Sequence, residues 1–214
     1  MTVDSPVFGP EFARDFDKLL AWRRDVRRFR PDALPPGTLE DLIVRARLAP
    51  SVGNSQPWRF VRVTEPARRT AVRAEFERCN AAALAGRTGE RAASYARLKL
   101  AGLDDAPEQL AVFCAEDETR GDGLGRETMP ETLAYSVVCA VHTLWLAARV
   151  RGLGVGWVSI LDAPTVASTL DVPGSWKLIA YLCVGYPARE DDVPELERAG
   201  WQARGIVDGD YLER

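Results

Sequence analysis

A single histidine, His142, stands in 214 residues, and the four cysteines, Cys79, Cys114, Cys139 and Cys183, are scattered with no Cys-x-x-Cys pair and no histidine beside them. That poverty argues against metal-ligand clusters and a disulfide framework, so no metal is expected and reduced thiols point to the cytoplasm. His142 lies in an apolar run and reads as a buried, satisfied side chain rather than a catalytic base. No basic stretch followed by an apolar one opens the chain, so no secretory signal is read. Positive charge is not in excess: 28 Lys and Arg against 31 Asp and Glu leave a formal net charge of −3. General nucleic-acid affinity needs a broad positive face, so no nucleic-acid partner is expected. A dinucleotide fingerprint is also missing. Gly152, Gly154 and Gly156 alternate, but they follow a helix and precede a strand, the reverse of the Rossmann order.

Against that background one stretch stands out. Arg23, Arg24, Arg27, Arg28 and Arg30 crowd a single carboxylate, Asp25, with Val26 between them. One carboxylate cannot neutralise five guanidinium groups. Either the segment is a solvated basic patch or it meets an anion, and a phosphorylated cofactor suits the planar guanidinium fork.

Periodicity organises the rest as one domain. Phe12, Phe16, Leu19 and Leu20 predict a helix over 10–22 whose apolar stripe packs on a core and whose end delivers the arginines. Thr38 with Asp41 resembles a capping box opening a helix through Leu39, Leu42, Ile43 and Ala46. A polar loop over 49–58 follows, with Ser51, Asn54 and Gln56 as donors and acceptors, then a strand over 59–63. Such a loop can read a heterocycle edge or merely satisfy its own backbone. Helices are expected over 66–80 and 91–100, and the region from about 81 to 105, poor in large apolar residues, reads as a flexible lid. Strands are expected over 109–115 and 176–185, an exposed acidic loop over 116–125, and a short helix over 162–170. The most apolar segment, 131–150, reads as a core or subunit-interface helix, not a membrane span, because Ser136, His142 and Thr143 interrupt it. Beyond Pro187 the charged tail, about 187–214, reads as an extended arm lying on something else, such as another subunit.

Together these pieces resemble the nitroreductase-like flavoproteins. The matching motifs are Arg-Arg-x-x-Arg after the first helix, Ala-Pro-Ser-x-x-Asn-x-Gln-Pro-Trp, the long central helix, and Gly-x-Gly-x-Gly-Trp before a strand. Asp25, where general nitroreductases usually carry serine, together with 156–159 and the tail 195–201, is similar to the 5,6-dimethylbenzimidazole synthases of that superfamily. The loop 116–126 is not covered by the resemblance. The resemblance implies an α+β fold with a central, mostly antiparallel sheet flanked by helices, and a homodimer with the long helix at its interface. It also implies flavin mononucleotide (FMN) held between subunits, reduced FMN and dioxygen as substrates, a separate flavin reductase to supply the former, and 5,6-dimethylbenzimidazole and erythrose 4-phosphate as products. On that basis Arg23, Arg24, Asp25, Val26, Arg27, Ser51, Asn54, Gln56, Gly154, Gly156 and Ser159 are the candidate flavin-binding residues. Arg23, Arg24 and Arg27 would stabilise the anionic flavin, and Gly154 and Gly156 would let a flat ligand approach the backbone. Asp25 is the candidate base for proton removal at the ribityl carbon, and Ser159 the candidate hydrogen-bonding group near ring N5. The alternative is an FMN-dependent NAD(P)H nitro or quinone reductase, in which flavin stays bound and shuttles hydride.

Overall fold

A computed structural model describes residues 5–86, 88, 102–205 and 211–213. In chain order the elements are α1 (Pro10–Trp22), α2 (Thr38–Ala46), β1 (Trp58–Arg62), α3 (Pro66–Ala85), α4 (Gly102–Asp105), β2 (Glu108–Ala115), α5 (Thr132–Val150), β3 (Gly154–Val158), α6 (Ala163–Thr169), β4 (Trp176–Gly185) and α7 (Glu195–Arg198). The helix expected over 91–100, and most of the lid, lie outside the described residues. Most of the described part of that region is helical: α3 runs on to Ala85, and α4 buries Gly102 and Leu103.

The sheet has the strand order β1-β2-β4-β3, with every neighbouring pair antiparallel. β2 and β4 are covered on both faces, which is why they read as near-continuous apolar runs. Alternation sorts their side chains into two cores. Leu110, Val112, Cys114, Ala180, Leu182 and Val184 face α2 and α5. Ala111, Phe113, Tyr181 and Cys183 face Val72 of α3, Leu103 of α4 and Val166 of α6. The α+β class and antiparallel sheet are as expected.

Four local expectations are corrected. The stripe of α1 does not pack on the chain's own core: none of its residues is buried, and Phe12, Phe16, Leu20 and Trp22 are exposed. Thr38 caps nothing with its side chain. Gly37, at φ 82°, is the N-cap, and the Thr38 hydroxyl donates to the Pro35 carbonyl at 2.7 Å. His142 is exposed on α5 rather than buried, because the helix buries only the face of Leu133, Val137, Ala140, Val141, Leu144 and Ala148. The opposite face, with Tyr135 and Val138, is exposed and partly apolar. Finally, the start of the C-terminal arm lies on its own chain. Pro187 bridges Phe29, the Ala188 amide donates to the Arg28 carbonyl at 3.0 Å, and α7 follows within a few residues.

Candidate active site

The arginine segment is built onto the sheet as an irregular extra edge. Asp25 forms a parallel bridge with Val155 of β3, the Val26 amide donates to the Val155 carbonyl at 3.0 Å, and the Arg30 amide donates to the Tyr186 carbonyl at 2.9 Å. Trp145 of α5 donates its indole N–H to the Arg24 carbonyl at 3.0 Å, tying the segment to the central helix. The backbone is therefore fixed before any ligand arrives. Gly156 makes this docking possible, since a methyl group there would overlap the Val26 carbonyl. Gly154 faces the Val26 side chain in the same way. The close approach these glycines serve in this structure is that of Val26, not of a flat ligand.

The side chains open into a cleft of about 410 Å³ lined by Arg24, Asp25, Arg27, Arg28, Arg189 and Arg198, together with Asp191 and Glu195. Five guanidinium groups meet three carboxylates there, an excess of two positive charges. Two of the carboxylates are engaged: Asp191 pairs with Arg189 at 3.0 Å and with Arg198 at 3.1 Å, and Asp25 Oδ2 stands 3.4 Å from Arg27 Nε. Asp25 Oδ1 accepts from the Trp157 amide at 3.0 Å, which orients the carboxylate, while 38% of its side chain remains exposed. Arg24 donates Nε to the Asp192 carbonyl at 2.9 Å, and Arg23 lies 5.1 Å from the centre of the Trp145 ring. Burial lowers the pKa of both Arg23 and Arg24, and the neighbouring positive charge of Arg204 lowers both further. Crowded, partly desolvated cations of this kind are a site for an anion. The donor set fits a phosphorylated flavin.

Arg189, Arg198, Asp191 and Arg204 were not expected from the sequence. Their signals were charge in a tail that read as an arm and, for Arg198, a place in the 195–201 motif, neither of which pointed to this cleft. Ser159 is exposed just past the end of β3.

The polar loop is elsewhere. Ser51, Asn54 and Gln56 precede β1, with the 3-10 turn Val52–Asn54 between them. Asn54 is exposed, Ser51 and Gln56 are half-buried, and the Ser51 hydroxyl accepts from the Gln56 amide at 3.1 Å. This corner and the arginine corner sit at opposite edges of the sheet and at opposite ends of β4. Trp58 registers through Cys114 with Lys177, and Val155 registers with Val184. Strand geometry sets the corners roughly 14 Å apart across the sheet and roughly 20 Å apart along it. The central helix says the same. The Val52 amide donates to Ser136 Oγ at 3.0 Å, whereas Arg24 is tied to Trp145. Ser136 and Trp145 are about two and a half turns apart, on opposite faces of the helix. One copy of the chain brings Arg24, Asp25, Val26 and Arg27 into the cleft with Arg23, Gly154 and Gly156 packed beside them, does not place Ser159 among the residues lining it, and leaves Ser51, Asn54 and Gln56 out.

Fold and cleft together define the class. Residues 20–186 match the Nitroreductase family, and the chain belongs to that family. The particular relatives are narrower: 5,6-dimethylbenzimidazole synthase of Rhodospirillum rubrum is 60% identical over 199 residues, 93% of this chain and 94% of that protein. A protein of the same name from Rhodobacter capsulatus is 51% identical over 86% of this chain and 89% of its own. Among solved structures, oxidized iodotyrosine deiodinase bound to FMN and 3-iodo-L-tyrosine superposes with a TM-score of 0.71 at 27% identity, covering 92% of this chain and 99% of that chain.

Proposed function

We propose that this chain is a 5,6-dimethylbenzimidazole synthase that consumes reduced FMN and dioxygen, with the flavin supplied by a separate reductase. The observation that carries the reading is a carboxylate, Asp25, fixed by a backbone amide at the mouth of a cleft with an excess of arginines. The close similarity to the Rhodospirillum rubrum synthase supplies the reaction. When bound, reduced FMN supplies the electrons that reduce dioxygen and the carbon skeleton of both products, 5,6-dimethylbenzimidazole and erythrose 4-phosphate.

The residues divide the work. Arg24, Arg27, Arg28, Arg189 and Arg198 bind the anionic groups, and their fixed positions remove the cost of reorganising around charge. Asp25 takes a proton from the ribityl carbon through Oδ2, the oxygen beside Arg27, the other being held by Trp157. Ser159 offers its hydroxyl to the ring edge. Ser51, Asn54 and Gln56 reach the same flavin from a second copy, because no single copy brings both corners together. The exposed apolar faces of α1 and α5 supply the surface for that homodimer.

The test is aerobic incubation of the purified protein with reduced FMN, followed by mass analysis of small products. The expected result is 5,6-dimethylbenzimidazole with erythrose 4-phosphate. Intact FMN recovered in full, with rapid anaerobic reduction of bound flavin by NADH or NADPH alone, would replace this reading with a nitro or quinone reductase.

A further inference from the structure

The loop 116–126 reads from the sequence as an exposed acidic excursion, yet Glu118 is buried, with 7% of its side chain accessible. It accepts from Arg59 Nη2 at 2.7 Å, from Arg120 Nη2 at 2.8 Å and from the Arg120 amide at 2.9 Å, and Arg126 donates to its backbone carbonyl. Arg59 and Arg120 are thereby held with donors to spare, and both spend them on the Gln56 carbonyl, at 3.3 Å and 2.8 Å. The backbones also touch. Gly53 and Gly121, at φ 55° and 83°, pack so closely that a Cβ on Gly121 would stand 2.5 Å from the Gly53 carbonyl oxygen.

The loop thus gripped is not at rest by itself. Asn54 and Gln56 adopt φ 53° and 51°, a left-handed conformation costly for residues with side chains. Between them Ser55 is 1% exposed, and its hydroxyl lacks a hydrogen-bond partner among the described residues. A strained backbone and an unsatisfied buried hydroxyl persist only where surrounding structure imposes them.

We propose that residues 118–126 are a clamp that holds loop 51–56 in its flavin-reading shape, with Glu118 and Arg120 as positioning residues. The clamp rests on the flavin-binding role given above to Ser51, Asn54 and Gln56. Glu118 neutralises and aims two arginines, and the arginines fix Gln56 by its carbonyl. The side chains of Asn54 and Gln56 meet each other, Gln56 Nε2 donating to Asn54 Oδ1 at 3.4 Å, and keep their remaining donors and acceptors for a ring edge.

The experiment uses the full chain and two variants, Arg120→Met, which keeps the apolar stem, and Glu118→Gln, which keeps the volume. Amide hydrogen exchange is followed at residues 51–57 in the flavin-free protein, and FMN affinity is measured on the same preparations. Both variants are expected to lose protection at the Ser55 and Gln56 amides while β2 and β4 keep theirs, and to bind FMN roughly tenfold more weakly. Arg120→Lys, which restores a cation but not the fork, is expected to recover part of both. Unchanged exchange in the loop, loss spread evenly over the sheet, or lost protection with unchanged FMN affinity would each overturn the clamp. Wild-type protein that binds FMN but makes no 5,6-dimethylbenzimidazole would overturn the proposed reaction and leave the exchange result standing.

Discussion

The two corners of the sheet solve different recognition problems with the same residue, arginine. At the β3 corner the guanidinium groups outnumber their carboxylates, and burial and the neighbouring charge of Arg204 depress Arg24 and the adjacent Arg23. That corner is short of negative charge. At the β1 corner Arg59 and Arg120 share the buried Glu118 and are used up in holding a loop. What it presents outward is the neutral, directional chemistry of Asn54 and Gln56. The contrast teaches that arginine-rich sequence is not itself a binding signal. An arginine binds a ligand where its own chain leaves it unmatched, and builds a scaffold where a buried carboxylate matches it.

The largest expected effect lies at the charged corner. Asp25→Asn keeps the size and one acceptor but cannot take a proton, so it should bind flavin with near-normal affinity and lower product formation by about 10²–10⁴-fold. Near-normal product formation with weakened binding would show instead that Asp25 only orders Arg27 and the Trp157 amide. The division between corners is checked by mixing subunits. Asn54→Gly removes the side chain while glycine accepts the left-handed backbone. Asp25→Asn and Asn54→Gly homodimers are both expected to be poor catalysts. Unfolded and refolded together, they should recover roughly a quarter of wild-type activity, because half the dimers are mixed and each has one intact site. No recovery would put both corners in the same subunit's site.

How much of this was legible depends on how local the cause is. The arginine corner was readable because six of its residues fall between positions 23 and 28, whereas the alternating glycines were noticed but assigned to a flat ligand, since nothing local records that Val26 docks on them. β2 and β4 were found within about a residue of their bounds because strands buried on both faces write an apolar run, whereas β3 was expected only after the glycines and in fact contains Gly154 and Gly156. The loop 116–125 is mostly exposed, as expected, but the burial of Glu118 was missed because its clamp joins it to Arg59, 59 positions away, and a lone glutamate in an acidic stretch looks solvated. The apolar stripe of α1 was seen correctly, but its cover was not, since periodicity shows that a face is buried without saying by which chain. Arg189, Arg198 and Arg204 were missed for the related reason that the tail folds back over its own arginine segment, a return no local pattern records.

Ionic strength separates the corners with a smaller effect. Arg27→Met is expected to weaken FMN binding roughly ten- to hundredfold, the range for a hydrogen bond to a charged group. Added salt should weaken wild-type binding further, while the extra cost of Arg27→Met should shrink as salt rises. Asn54→Gly should weaken binding less, and its cost should stay constant with salt. Titrations of FMN at low and high ionic strength distinguish the cases. A salt-dependent cost at Asn54 would erase the assignment of charge to one corner and directional hydrogen bonding to the other.

The smallest effect is at acid pH and belongs to the β1 corner. The Glu118 carboxyl is held well below its ordinary value of 4.5, first by the Arg120 side chain and then, against the cost of burial, by the Arg120 amide and Arg59. A carboxyl whose pKa is depressed on folding contributes stability that is fully present above its unfolded pKa and is lost as pH falls toward the folded one. Protection of the loop 51–57 amides should therefore be constant from neutral pH down to about pH 4.5 and decline below it. Glu118→Gln carries no charge to lose, so its weaker protection should show no such decline. Exchange rates corrected for their intrinsic pH dependence and compared between the two proteins read this difference directly. The same acid decline in both would mean that some other carboxyl governs the loop, and that Glu118 is a bystander to the corner it occupies.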